Sequence, residues 1–403
     1  LVPKFLKALI IVAFALVVLM IAFGPNKSSK VVIAPSSALN AANPAEQNAS
    51  SASPAPLVAQ VLPATPQVGG GSSTNPSLPT ISATELSANL DVYLREISNA
   101  GWFQGSVLVA RGNEVILSKG YGMADASKSL ANAPDTRYRI ASLSKQFTAA
   151  AIMVLYAEGR IDVHESICYY LKPCPSTWTN ITIHHLLTHS SGLPNYTDFD
   201  SYTPTQMIPT TPQEIVSRFS SMPLLFEPGT SYMYENSDYV LLGLIIEQVS
   251  GRSYADYMRQ VLFEPLGMYN TSADPNFAVT KGYHTVGVEA APLHVSTLFG
   301  AGSISSTVED LYRWDQALYG TYVLPSLYLN TMWTRHYNNY GYGWMIGEIN
   351  GMRTISHPGL IDGFSGAIMR VPDAQVTVIV LSNMDAADPY SIATYIAGQV
   401  LER

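Results

Sequence analysis

Apolar positions recur at helical spacing near residue 90 and at strand spacing just beyond it. Leu86, Leu90, Leu94 and Ile97 fall on one helical face. Ser82-Ala83-Thr84-Glu85 reads as a capping box that opens this helix, and Gly101 closes it. Residues 106–110 and 115–119 are short strand-like runs joined across Gly112-Asn113, a two-residue hairpin signal. The other end of the chain mirrors this order. Residues 367–371 and 376–381 are strand-like around Pro372-Asp373, and a helix starting near Asp388-Pro389 carries Ile392, Tyr395, Ile396 and Val400. Helix–strand–strand at one end and strand–strand–helix at the other predict one antiparallel sheet with the terminal helices packed on it. The middle, about 142–320, reads as mainly helical, with helix starts at Thr211-Pro212-Gln213-Glu214 and Thr307-Val308-Glu309-Asp310. A catalytic cleft would lie between the sheet and the helical part.

The first 80 residues follow neither pattern. Lys4 and Lys7 precede an uninterrupted apolar run from Ala8 to Phe23. Such a run is long for a signal-peptide core and short for a spanning helix. Ala22-Phe23-Gly24 resembles a cleavage site, but Pro25 follows it directly. Residues 1–25 therefore read as a signal anchor, with a cleaved signal peptide as the alternative. Lys27 and Lys30 follow the run, so charge leaves its orientation open. Residues 26–80 are crowded with Ser, Ala, Pro and Asn, include Gly69-Gly70-Gly71, and cannot bury enough surface to fold. They read as a disordered linker that holds a domain, 81–403, away from a membrane. The expected location is extracytoplasmic, anchored through residues 4–24 or secreted after cleavage.

The 403 residues are 47% hydrophobic and 13% charged, enough for an enzyme-sized core. A net charge of −8 disfavours nucleic acid as a partner. Cys168 and Cys174 bracket five residues. They could close a small disulfide loop in an oxidising compartment, which the export signal favours, or remain two free thiols.

The chemistry centres on Ser142-Leu143-Ser144-Lys145, where a strand-like run turns into an apolar helix. Residues three apart share a helical face, which puts the Ser142 hydroxyl beside the Lys145 amine. A serine needs a neighbouring base to become nucleophilic, and a shielded lysine with a depressed pKa can be that base. Downstream, Tyr234-Glu235-Asn236 offers a phenol and an amide two residues apart. A phenolate beside a lysine ammonium can act as a general base, and Glu235 adds a carboxylate that could alter charge near the cleft. His357-Pro358-Gly359-Leu360 follows, where the small Gly359 lets a substrate backbone approach.

These three motifs, in this order, resemble those of the serine β-lactamase and penicillin-recognising hydrolases: Ser-x-x-Lys, Tyr-x-Asn and His-x-Gly. Leu186-Leu187-Thr188-His189-Ser190-Ser191-Gly192-Leu193-Pro194, Ser305-Ser306-Thr307-Val308-Glu309-Asp310-Leu311 and Tyr340-Gly341-Tyr342-Gly343-Trp344 resemble further segments of that family. The resemblance spans about 82–403. It implies an α+β fold of the β-lactamase/transpeptidase type and an acyl-enzyme formed on Ser142. It further implies proton traffic shared by Lys145 and Tyr234, with Tyr234 the base for water. Asn236 would position Lys145 and substrate, and His357 would supply positive or hydrogen-bonding character toward a substrate carboxylate. The backbone N–H groups of Ser142 and Leu360 would form the oxyanion hole. Because His357 replaces the lysine of many true β-lactamases, the implied substrates are peptides, amides or esters, with β-lactams less favoured. No cofactor is implied, and the oligomeric state is not set.

Other readings stay open. The domain could be a tethered penicillin-binding or sensing module that is acylated without efficient turnover. His185 and His189, four apart, could bind a metal on a helix face, although no His-Glu-x-x-His is present. Ser144 is an alternative nucleophile off the lysine's face. No Gly-x-Ser-x-Gly elbow supports an α/β-hydrolase. Asp362 could meet a substrate amine or cap a turn.

Overall fold

The computed structural model describes residues 82–402. The expected anchor, 1–25, and the expected linker, 26–80, lie outside the described residues. Among the described residues, no helix is long and apolar enough to cross a membrane.

Helix α1 (Ala83–Asn99) buries Leu86, Leu90 and Leu94. Ser82 Oγ accepts the Glu85 N–H at 3.1 Å, the hydroxyl half of the predicted box. Strands β1 (Gly105–Arg111) and β2 (Glu114–Tyr121) pair with Arg111 opposite Glu114, around Gly112 at φ +56. The helical part includes α2 (Ser144–Ala157), α3 (Ile183–Leu187), α4 (Ser237–Ser250) and α5 (Val308–Ala317). Then come β3 (Met345–Ile349), β4 (Met352–Ile361), β5 (Phe364–Val371), β6 (Val376–Ser382) and α6 (Pro389–Leu401).

The six strands form one antiparallel sheet in the order β2-β1-β6-β5-β4-β3. Val107 of β1 faces Val380 of β6, so the first and last hairpins join at the middle of the sheet. Alternation along the strands separates two cores. Val107, Val109, Val378 and Val380 pack with α1 and with Ile392, Ile396 and Val400 of α6. Leu108, Ile368, Ile379 and Leu381 face the helical part, including Phe147, Leu242 and Trp314. This is the predicted α+β arrangement, with the terminal helices on one face and the helical layer on the other.

Three details differ from the sequence reading. Tyr395 does not join the core. It is 47% exposed and its ring packs on Tyr93 of α1, centroids 4.6 Å apart. The helical part also holds two small strand pairs, Tyr138–Arg139 with Ser305–Ser306 and Tyr283–Thr285 with Val288–Glu289. Finally, a buried ion pair ties the layers together. Arg370 of β5 donates through Nε to Asp315 of α5, with both side chains fully buried. Cys168 and Cys174 are joined in a disulfide.

Candidate active site

The segment before α2 makes an unusual turn. Ala141 adopts φ +49, a conformation that costs a residue with a Cβ about 1 kcal/mol or more. It is held there by neighbours. The Ile140 N–H donates to Ile304 O at 3.0 Å, and Ser144 Oγ accepts the Ile304 N–H at 3.1 Å. Ser144 is fully buried in this role, which removes it as a nucleophile. From the sheet side, β4 presses on the turn at Gly359. A Cβ there would lie 2.6 Å from Ile140 O, 2.8 Å from Leu143 Cδ1 and 3.2 Å from Ala141 Cβ. Gly359 does line the cleft. However, the space beside its Cα is filled by the serine turn, so the expectation that it clears room for a substrate backbone is replaced by an internal contact.

The turn presents Ser142 to Lys145 as the i, i+3 spacing predicts. Lys145 Nζ lies 3.2 Å from Ser142 Oγ, 2.8 Å from Asn236 Oδ1 and 3.0 Å from Ala301 O. The last two are acceptors only. Once they take two N–H groups, a neutral amine turns its lone pair to the Ser142 hydroxyl. Burial pushes the Lys145 pKa down from 10.5 to about 7, against the pull of Glu235 and Asp238. The free amine is thus accessible near neutrality. Asn236 is fixed at both ends: its N–H donates to Asn195 Oδ1 at 3.0 Å and its Nδ2 to Thr197 Oγ1 at 3.1 Å. The Tyr340-to-Trp344 segment braces the lysine from behind. Gly343, at φ +75, leaves no room for a Cβ, which would meet Lys145 O at 2.7 Å.

Tyr234 lines the same cleft as Ser142, and its ring stands 4.9 Å from Lys145 Nζ. Burial nonetheless drives its pKa well above the usual phenol value. The phenolate expected beside a lysine ammonium is therefore not the resting form. The phenol can relay a proton, and Lys145 is the group that is readily basic.

His357 differs most from expectation. It is 1% exposed, its Nδ1 lies 2.6 Å from Pro358 O, and its Nε2 lies 2.9 Å from Tyr340 Oη. The carbonyl accepts only, so Nδ1 carries the proton and Nε2 accepts from the tyrosine. Burial, with Lys145 nearby, lowers its pKa to about 3. It is a neutral, fully engaged ring and brings no positive charge to a substrate carboxylate. Leu360, next along the strand, lines the cleft with its side chain 64% exposed. Strand β3 stops opposite Ser356, so β4 has an open edge from His357 onward.

The His185–His189 pairing does not form. Helix α3 ends at Leu187, and His189 takes φ +56. His185 Nδ1 accepts the Thr182 N–H at 3.2 Å, closing a capping box. His189 instead packs against Tyr234 and Tyr340, centroids 4.4 and 4.7 Å away. Asp362 accepts from Gln206 Nε2 at 2.6 Å, so it ties the β4–β5 turn to the helical part.

Sequence reading missed several partners. Ala301 acts through its backbone and leaves no side-chain signal. Glu235 was noted as a charge near the cleft, but it is 1% exposed and sits beside the fully buried Asp238. Their i, i+3 spacing at a helix start was the available clue. Asp385 and Asp388 line the same cleft of about 450 Å³ as Ser142 and carried no motif.

The chain is similar to known proteins in sequence and fold. The family model described as "Beta-lactamase" matches residues 93–401. Penicillin-binding protein 4* of Bacillus subtilis is 31% identical over 72% of this chain and 70% of its own length. Among solved structures, the octameric penicillin-binding protein homologue from Pyrococcus abyssi superposes with a TM-score of 0.71 at 28% identity, over 78% of this chain and 77% of that one. The D-amino acid amidase from Ochrobactrum anthropi, complexed with L-phenylalanine, superposes at 0.68 and 25% identity, over 79% and 97%. The chain therefore belongs to the β-lactamase family and is a serine hydrolase.

Proposed function

We propose that this hydrolase cleaves amides, peptides or esters whose recognised group is an amine or is uncharged, as in D-amino acid amides. Ser142 Oγ attacks the substrate carbonyl while Lys145 takes its proton, and the N–H groups of Ser142 and Leu360 receive the oxyanion. The bond to the leaving group breaks, and the proton passes to that group through Lys145 and Tyr234. Water then attacks the acyl carbon, giving its proton back along the same path, and Ser142 is released. Asn236 holds Lys145 in place throughout.

One observation carries the substrate class. The residue expected to attract a carboxylate, His357, is neutral and closed, whereas Asp385 and Asp388 line the cleft. Among the described residues that line it, none is a lysine or arginine. Asp385 uses Oδ2 to accept the Gly363 N–H at 2.8 Å and to meet His284 Nδ1 at 2.7 Å, and Asp388 uses Oδ1 to cap Ser391 at 3.1 Å. The second oxygen of each is the natural partner of a substrate ammonium. The similarity to a D-amino acid amidase supports the same reading. The disulfide supports an oxidising, extracytoplasmic location.

The test is a panel of D-alanine amide, D-phenylalanine amide, an N-acylated peptide with a free C-terminal carboxylate and a chromogenic β-lactam, each with Ser142→Ala as control. The free-amine amides are expected to lead in kcat/KM by at least about tenfold, which is the scale of one charge-assisted contact. Asp385→Asn should erode that lead. Preference for the carboxylate peptide, or rapid β-lactam turnover, would sink the proposal. A stable acyl adduct seen by intact mass would favour the binding-module reading.

A further inference from the structure

Behind Lys145 lies a group of acids that the acyl-transfer scheme does not use. Glu235 sits between Tyr234 and Asn236, and Asp238 lies in the first turn of α4. Glu235 is 1% exposed, while Asp238 and His189 are fully buried. One donor or acceptor atom from each of the three lies within 4.8 Å of the other two. Glu235 Oε1 accepts the Asp238 N–H at 2.7 Å. Glu235 Oε2, both Asp238 oxygens and His189 Nε2 are buried without a well-formed hydrogen bond, although Ser191 stands near Asp238 and His189 Nδ1, which accepts the Glu235 N–H at 3.4 Å, lies 3.4 Å from Asp238 Oδ2.

Two ionised carboxylates cannot rest in that position. Each unpaired buried charge costs several kcal/mol, and like charges side by side add repulsion. Yet a ligand oxygen of each lies within 4.8 Å of the other. A single proton held by the pair removes one charge and the repulsion with it. The surrounding groups cannot supply compensating charge. His189 and His357 are held neutral by burial, and Tyr234, Tyr239 and Tyr340 are held as phenols. Lys145 is the cation that faces the pair, and both acids act on it.

We propose that Glu235 and Asp238 share one proton and carry one negative charge between them, and that this pair is a positioning element that sets the protonation of Lys145. The inference rests on Lys145 being the base of acylation. The pair offsets the ammonium that forms when Lys145 takes the Ser142 proton. Lys145 and the pair then titrate as one unit. Burial raises both acids of the pair above the usual carboxylate range, toward the lowered range of Lys145.

The shared charge makes a non-additive prediction. Glu235→Gln and Asp238→Asn each leave one carboxylate with an amide donor. Each should keep the acidic midpoint of kcat/KM within a few tenths of a pH unit of the wild type. The double variant removes the charge, and its midpoint should fall by about one unit or more, the usual effect of a close opposite charge. Equal, additive shifts from the two single variants, or no shift in the double variant, would overturn the proposal. Infrared spectroscopy provides an arm independent of activity. The wild type and Ser142→Ala should show a protonated-carboxyl band at neutral pH that either single variant loses, so this arm stands even if the double variant does not fold. No such band, or a stoichiometric divalent metal bound by the same three side chains, also overturns it. Full activity in Lys145→Ala would instead refute the base assignment and leave the infrared result to judge the pair.

Discussion

Gly359→Ala tests whether β4 supports the nucleophile turn or only makes room for substrate. The new Cβ would stand 2.6 Å from Ile140 O, a backbone atom that no rotamer change can move. Real Cβ atoms keep at least 3.0 Å from such neighbours, so strand and turn must part by about 0.4 Å. Ala141 is already in a disfavoured conformation, and the turn is pinned on its far side by Ile304. The strain therefore falls on Ser142. A displacement of that size along the line to Lys145 stretches 3.2 Å to about 3.6 Å, beyond a working hydrogen bond. General-base assistance is worth about 100-fold or more, so the acylation rate should fall by roughly 10- to 100-fold. Stability should fall by about 1–3 kcal/mol, as in other overpacked sites. Single-turnover acylation by a p-nitrophenyl ester measures the rate, and thermal unfolding measures the stability. The turn-support argument fails if acylation at saturation is unchanged while KM rises, because that pattern belongs to a substrate contact.

Three further outcomes are expected. With the Lys145 pKa lowered to about 7, the free amine is lost as pH falls through that value; kcat/KM should drop about tenfold per unit below it, and a profile flat to pH 5 would contradict the base assignment. Asp315→Ala leaves the Arg370 guanidinium buried without its partner and should cost about 3–5 kcal/mol in denaturant unfolding, with a loss under 1 kcal/mol showing that water reaches the site. Replacing Cys168 and Cys174 together by serine opens a short loop and should cost about 2 kcal/mol without changing kcat, whereas a large fall in kcat would tie that loop to the cleft.

What the sequence disclosed and what it withheld divide along a physical line. Ser142 and Lys145 were legible because their relation is set by helix geometry within four residues. The hairpin across Gly112-Asn113 and the helix start at Asp388-Pro389 were legible for the same reason, since backbone preference acts locally. The charge states were not. His357 reads as a group of positive or hydrogen-bonding character, and Tyr234 as a phenolate beside a lysine, because exposed residues of those types titrate within a few units of neutrality. Burial by α4, β4 and the Tyr340 segment leaves both uncharged, and no local pattern encodes how those elements meet. Gly359 shows the same division. Its lack of a side chain was visible, but which neighbour fills the space was decided by Ile140, more than two hundred residues away. Glu235 is the sharpest case. As an exposed residue it would add negative charge to the cleft. Buried against Asp238, it must share a proton, and its influence passes through Lys145 rather than to the substrate. The motifs therefore name the reacting groups, while tertiary burial assigns their protons. An enzyme of this family that carried the same Ser-x-x-Lys and Tyr-x-Asn motifs without the buried acid pair would be expected to titrate at lower pH.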